Sequence, residues 1–192
     1  QDLYLGRFKG KRPRFNAHLS DIAVLVNDHW IVHPRQVEIA TDLAPSVAVV
    51  IPVYKKPDEL KPFESALIKR VEELFDQHNL HLALPHKLAS DYRPFKSFKI
   101  ITFKDDFFVN KFSYSNLLTS LGFYEAFSSF EFLQIIQLDC WIFSDQINKF
   151  SSLGFDYIGA PWMENGFEGK PEKKIWKVGN GGFSLRRISK FI

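Results

Sequence analysis

Two apolar runs constrain this chain more than any other feature. Val47-Ala-Val-Val-Ile51, closed by Pro52, contains no polar residue, and Phe132-Leu-Gln-Ile-Ile-Gln-Leu138 contains only glutamine among its apolar residues. Strands this apolar have no face to give to water. Each must be covered on both sides, as strands of a parallel sheet are when helices pack on both its faces. The helices are present in the pattern. Leu67, Ile68, Val71, Leu74 and Phe75 share one side of a 3.6-residue period, with Lys69, Arg70, Glu72 and Glu73 on the other, which predicts an amphipathic helix after the first strand. Leu80-His-Leu-Ala-Leu84 and Phe98-Lys-Ile-Ile-Thr-Phe103 read as two further strands. Tyr114, Leu117, Leu118, Leu121 and Phe127 predict one helix over 113–127, with Ser113 as its N-cap. Asp145 caps a short helix carrying Ile147, Phe150 and Leu153, stopped by Gly154, and Tyr157-Ile158 gives one more short strand. The expected fold class is α/β, an α/β/α sandwich around a central, mostly parallel sheet.

That domain is read over residues 46–192. Residues 1–45 read as an N-terminal extension. Its basic arm, with Arg7, Lys9, Lys11, Arg12 and Arg14, is either a solvated segment or a patch for phosphate, nucleic acid or anionic lipid. Ile22–Val26 and Trp30–Val32 flank Asn27-Asp28 as a candidate hairpin or added edge pair. The start has no initiator Met and no apolar leader, and Phe191-Ile192 follow closely on a glycine cluster that should introduce another element, so the chain reads as a fragment continuing downstream. Segment 163–174, rich in Gly, Glu, Lys and Pro, reads as a polar, mobile loop.

Composition excludes several classes. A chain of 192 residues fits one domain with a small appendage. Lys and Arg number 25 against 22 Asp and Glu, and a net charge of +3 is too small for a dedicated nucleic-acid binder, so no nucleic-acid partner is expected. No apolar stretch approaches the roughly 18 residues of a membrane span, which leaves peripheral association as the membrane-linked option. Cys140 stands alone, which excludes an internal disulfide and fits a reducing compartment. The expected location is the cytoplasm, with the inner face of the membrane as its limit.

In an open α/β sheet, ligands bind beyond the carboxyl ends of the strands. The polar residues there are Tyr54 and Lys55, Pro85 to Lys87, Asp139, and Asp156 with the Gly159-Ala-Pro-Trp162 turn. Asp139 leaves so apolar a strand that its carboxylate is expected to need a partner: amides of its own turn, the start of the next element, or a metal. Val178-Gly-Asn-Gly-Gly-Phe-Ser-Leu-Arg186 implies a tight backbone path or a close ligand approach, and it matches neither a Walker loop nor a dinucleotide fingerprint. His18, His29, His33, His78, His81 and His86 show no metal-ligand spacing and read as ordinary surface or loop residues.

Three motifs in order, Gln137-Leu-Asp139-Cys-Trp141-Ile-Phe143, Asp156-Tyr-Ile-Gly-Ala-Pro-Trp162 and Gly179-Asn-Gly-Gly-Phe-Ser-Leu-Arg186, resemble an uncharacterised, glycosyltransferase-like domain family common in bacterial polysaccharide and lipopolysaccharide gene neighbourhoods. Val49-Val-Ile-Pro52, Glu64 and Tyr114-Ser-Asn-Leu-Leu118 are similar to its opening, so the likeness spans about residues 46–188. The family resembles the GT-A class, with a nucleotide-binding, Rossmann-like α/β half. The resemblance implies an enzyme that moves a sugar from a nucleotide-sugar donor to a hydroxyl of a cell-surface polysaccharide or lipopolysaccharide precursor, with a glycan or lipid-linked glycan as acceptor.

By the same resemblance, Pro52, Val53 and Tyr54 lie beside the nucleotide base. Asp139 takes the Asp-x-Asp position, where carboxylates hold the ribose and a Mn2+ or Mg2+ bridging the diphosphate. Asn180, Gly181, Gly182 and Ser184 border donor and acceptor, and Trp162 stacks on a sugar face or packs beside Pro161. The sequence departs from the pattern, because Cys140 and Trp141 follow Asp139 and the second carboxylate is missing. Asp156 is the rival acid and the second catalytic candidate. Lys55, Arg186 and Arg187 are candidates to replace a metal at the pyrophosphate, and Glu164 and Glu168 are candidate bases beside one lying downstream. The alternatives are a noncatalytic sugar- or nucleotide-binding module of the same fold and a nucleic-acid-associated protein using the basic arm.

Overall fold

The computed structural model describes residues 24–26, 29–31, 45–163 and 175–192, with backbone alone at 24–26, 29–31, 161–163 and 175–178. In the N-terminal segment, β1 (Val24–Val26) and β2 (His29–Ile31) pair antiparallel, with Leu25 opposite Trp30. The basic arm at 6–14 lies outside the described residues.

Every residue of β3 (Val47–Pro52) is buried. Val47, Val49 and Ile51 enter one core while Ala48 and Val50 enter another, as the two-residue period of a strand requires. This is the physical reason that the run has no polar member. Each buried Val or Ile side chain contributes about 1.5–3 kcal/mol. Strands β4 (Asn79–Pro85), β5 (Lys99–Phe103) and β6 (Phe132–Ile136) run parallel with β3, β4 on one flank and β6 on the other. Strand β8 (Ile175–Arg187) lies antiparallel between β6 and β7 (Tyr157–Met163), which gives a six-stranded, mostly parallel sheet in the order β5-β4-β3-β6-β8-β7.

Helix α1 (Pro62–Leu74) covers the first core through Leu67, Ile68 and Val71, joined by Ile147 and Phe150 of α4 (Ile147–Ser151). On the opposite face, α2 (Lys111–Leu117) and α3 (Leu121–Glu125) bring Leu117, Phe123 and Tyr124 onto Val50, Leu133 and Ile135. The domain is mixed α/β, with helices on both faces of the sheet and an architecture compatible with a Rossmann-like fold.

Three local expectations are corrected. The single helix over 113–127 is two helices, because the Ser120 hydroxyl donates to Leu117 O at 2.8 Å and accepts the Phe123 amide at 3.3 Å, ending one helix and starting the next. The N-cap is Asn110, whose Oδ1 accepts from the Phe112 and Ser113 amides at 2.9 and 3.1 Å, while Ser113 closes a capping box from inside the helix. His81 is not a surface residue. It is buried on β4 with its ring edge-on to Phe127 and Phe130, and burial pushes its pKa below the ordinary value.

The chain steps from β3 outward to β4 and β5, then returns to the other flank of β3 as β6. The carboxyl ends of β3 and β6 are therefore the point where the strand order reverses, and in open α/β sheets a crevice opens there.

Candidate functional site

A cleft of about 510 Å3 occupies that position. Pro52, Tyr54 and Lys55 line it from the end of β3, and Gln137, Leu138 and Asp139 from the end of β6. Lys61, Phe63 and Glu64 enter from the start of α1, and Asn110, Lys111 and Tyr114 from the start of α2. The structure thus brings together Pro52, Tyr54, Lys55 and Asp139, four residues singled out from the sequence. Val53 is fully buried in the first core and does not line the cleft.

One acid organises the cleft wall. Glu64 accepts from the Lys55 ammonium at 2.6 Å on one oxygen and 2.9 Å on the other, and from the Lys61 amide at 2.9 Å. The Glu64 side chain is 11% exposed, so its charge needs these donors. Burial acts to raise its pKa, but the hydrogen bonds from Lys55 and the Lys61 amide hold it below the ordinary carboxylate value. Lys55 is raised in turn, chiefly by the bond to Glu64. Its backbone is fixed as well, since the Tyr92 hydroxyl donates to Lys55 O at 2.8 Å.

Asp139 is exposed, on a turn closed by the Cys140 amide donating to Gln137 O at 3.0 Å. Of the partners expected for it, neither the amides of its own turn nor the start of the next element is used. Strand β6 ends at Ile136, so the carboxylate clears the apolar layer and reaches water in the cleft. Among the described residues it takes neither a hydrogen bond nor an ion pair. Cys140 behind it is buried, with a thiol pushed up to about 12 by burial, and is inert as a nucleophile.

The glycine segment is part of β8 and serves the fold first. Gly159 pairs with Ser184 and the next residue of β7, Ala160, with Asn180, so Gly181 to Phe183 bulge out of that pairing. A β-carbon on Gly182 would stand 2.8 Å from Gln137 Cδ, and one on Gly181 2.9 Å from Arg186 Nη2. Gly179 adopts φ 130°, open to glycine alone. Asn180 accepts the Gly182 amide at 3.0 Å, and Ser184 bonds Gly181 O and Arg186. None of Asn180, Gly181, Gly182 or Ser184 lines the cleft. Gly182 touches it through Gln137, which does.

Arg186 is not at the pyrophosphate position expected of it. It is buried under α2 and α3, donating to Leu118 O at 3.1 Å, Ser184 Oγ at 3.1 Å, Gly181 O at 3.2 Å and the Tyr124 hydroxyl. The Tyr157 and Phe191 rings lie 5.5 and 5.8 Å from its guanidinium. Asp156 is likewise displaced. Antiparallel pairing puts Arg187 opposite Phe132, at the amino end of β6, and Asp156 pairs there with Arg187 Nε at 3.1 Å and Lys190 at 3.8 Å. Asp139 and Asp156 stand at opposite ends of the sheet and cannot form one acid pair, and Arg187 is engaged with Asp156 and Glu131. Trp162 sits opposite Lys177 in the β7–β8 register, its side chain outside the described residues, as are Glu164 and Glu168.

The donor set of the described residues does not fit a divalent cation. Glu64 is engaged, Asn110 Oδ1 is capping α2, and Asp139 is left as one carboxylate in a cleft that also holds three lysines, so a dication would meet more positive than negative charge. Among the described residues no group of three or more His, Cys, Asp or Glu is placed to hold a metal.

Sequence reading missed Lys61, Phe108, Asn110 and Lys111, all of which line the cleft. An Asn followed by a helical run was the available signal for Asn110.

Residues 97–192 match the family described as "Protein of unknown function (DUF5672)". The chain belongs to this family. The DUF5672 match takes in α2, Asp139 and the glycine strand, whereas β3, Lys55, Lys61 and Glu64 precede it, so the cleft is built across its boundary. No curated protein and no solved structure matches the chain. No helix among the described residues is long and apolar enough to cross a membrane.

Proposed function

We propose that the chain is a glycosyltransferase of GT-A type, moving a sugar from a nucleotide-sugar donor to a hydroxyl of a cell-surface glycan precursor. The observation that carries this reading is the position of Asp139. It is a solvated carboxylate at the carboxyl end of β6, beside Tyr54 at the end of β3, in a cleft at the reversal of strand order. A ribose or sugar hydroxyl suits Asp139 as donor to its carboxylate, and a nucleobase suits the exposed Tyr54 ring. The lysines suit the phosphates between them.

In the transfer, the acceptor oxygen bonds the anomeric carbon as the bond from that carbon to the phosphate oxygen breaks. The electron pair leaves with the nucleoside diphosphate, and the acceptor proton passes to a base. A noncatalytic nucleotide-sugar-binding module is the second reading, and one observation favours it: among the described residues, Asp139 is the cleft's one carboxylate not already held by lysine.

The test is calorimetry of the chain with a panel of nucleoside diphosphates, then donor hydrolysis and transfer assays. Micromolar binding of one nucleotide with turnover lost in Asp139→Asn is expected. Binding without turnover selects the module, and turnover unchanged in Asp139→Asn removes Asp139 from the mechanism.

A further inference from the structure

We infer that the cleft grips the phosphates of its ligand with Lys55, Lys61 and Lys111 rather than through a divalent cation. The inference rests on the nucleotide-sugar reading above and deepens it. Lys55 and Lys61 come from the connection between β3 and α1, Lys111 is the first residue of α2, and these helices cover opposite faces of the sheet. Three lysines therefore line one cleft from both sides of the strand-order reversal.

Their donor capacity is not exhausted by the protein. Glu64 takes two hydrogen bonds from Lys55, and an ammonium has three N–H donors, so one is left for a ligand, on a side chain already held in place. Lys61 and Lys111 are exposed, and among the described residues neither forms an ion pair, the Lys111 ammonium resting 5.2 Å from the exposed Phe112 ring. Among the described residues, three lysines against Glu64 and Asp139 leave the cleft with a surplus positive charge before anything binds. A diphosphate supplies the opposite charge, and the lysines meet the electron pair left on its oxygen when the sugar departs, the role a Lewis acid would otherwise take. Glu64, which does not need to touch the ligand, is a positioning residue that aims Lys55.

The experiment is calorimetry of the full chain with UDP, GDP, CDP, ADP and dTDP, first in EDTA and then in Mn2+. One nucleotide is expected to bind in both buffers with Kd equal within about twofold. Lys61→Gln and Lys111→Gln, at exposed positions where thermal unfolding checks the fold, are each expected to weaken it about tenfold in EDTA, the loss of one charge-assisted contact. Added NaCl should weaken wild-type binding more than that of either variant. A nucleotide that binds only with Mn2+ overturns the lysine grip and leaves the transferase reading standing. Variants that bind like the wild type also overturn it. Binding of no nucleotide in either buffer sinks the transferase reading, and this inference with it.

Discussion

The Lys55 ammonium donates to both carboxylate oxygens of Glu64, at 2.6 and 2.9 Å, and the same carboxylate takes the Lys61 amide at 2.9 Å. One acid thus fixes a cleft lysine and the backbone at the root of another. Glu64→Gln is expected to cost about 1–3 kcal/mol at neutral pH in urea denaturation. The Glu64 carboxyl lies below its ordinary value of 4.5 when folded, so its stabilisation is complete above pH 4.5 and disappears as pH falls through the folded value. The gap between wild type and variant should therefore be flat at neutral pH and close below 4.5. A gap of the same size at about pH 2 contradicts the assignment.

Arg186 carries a structural prediction in place of the pyrophosphate role. Arg186→Met removes four hydrogen bonds from one buried guanidinium, to Leu118 O, Gly181 O, Ser184 Oγ and the Tyr124 hydroxyl, and leaves Leu118 O with the Tyr124 hydroxyl alone and Gly181 O with Ser184 alone, an expected loss of about 3 kcal/mol. At this chain length that lowers Tm by roughly 6–12 °C. Arg186→Lys should recover little, because one ammonium cannot reproduce the guanidinium fork. Thermal unfolding of both variants decides it, and a Met variant as stable as the wild type would rule the network out as a support.

Gly182 separates affinity from stability. An added methyl meets Gln137 Cδ at 2.8 Å, the far end of a flexible side chain that can swing away, so Gly182→Ala should cost under about 1.5 kcal/mol. Gln137 lines the cleft, so the displaced amide should weaken nucleotide binding several-fold. Combining Gly182→Ala with Gln137→Ala should give a coupling energy different from zero in both readouts. Purely additive effects on binding would show that Gln137 does not carry the change.

His81 makes the second face of the sheet sensitive to acid. Burial lowers its pKa beneath the ordinary 6.5, so on acidification the unfolded chain takes up a proton before the folded one. Stability should begin to fall as pH drops through 6.5 and continue falling to the folded value. Urea midpoints of His81→Leu should lack this component, and parallel profiles for the two proteins would be evidence against a neutral buried imidazole.

Residues differ in how far their surroundings can be read from the chain. Val47 to Ile51 point to a strand covered on both sides because the run is short, mostly β-branched, closed by a proline and without a polar member that could face water. Asp139 and Tyr54 follow from that, since strand ends are where such sheets bind ligands. The break at Ser120 was hidden because it depends on a hydroxyl competing with the helix, while the apolar period runs through it unbroken. Arg186 reads like any other arginine, and only the antiparallel insertion of β8 shows that it is buried and that Asp156 faces the wrong end. Lys61 and Lys111 resemble solvated helix residues until the two helix starts are seen flanking one cleft.

The most direct test of the account is a crystal of the chain soaked with the nucleoside diphosphate that binds tightest. The result expected is density in the cleft between β3 and β6, a ribose or sugar hydroxyl on Asp139 and the phosphates on Lys61 and Lys111. Density at the Asp156–Arg187 end of the sheet, with the cleft filled only by water, would contradict it.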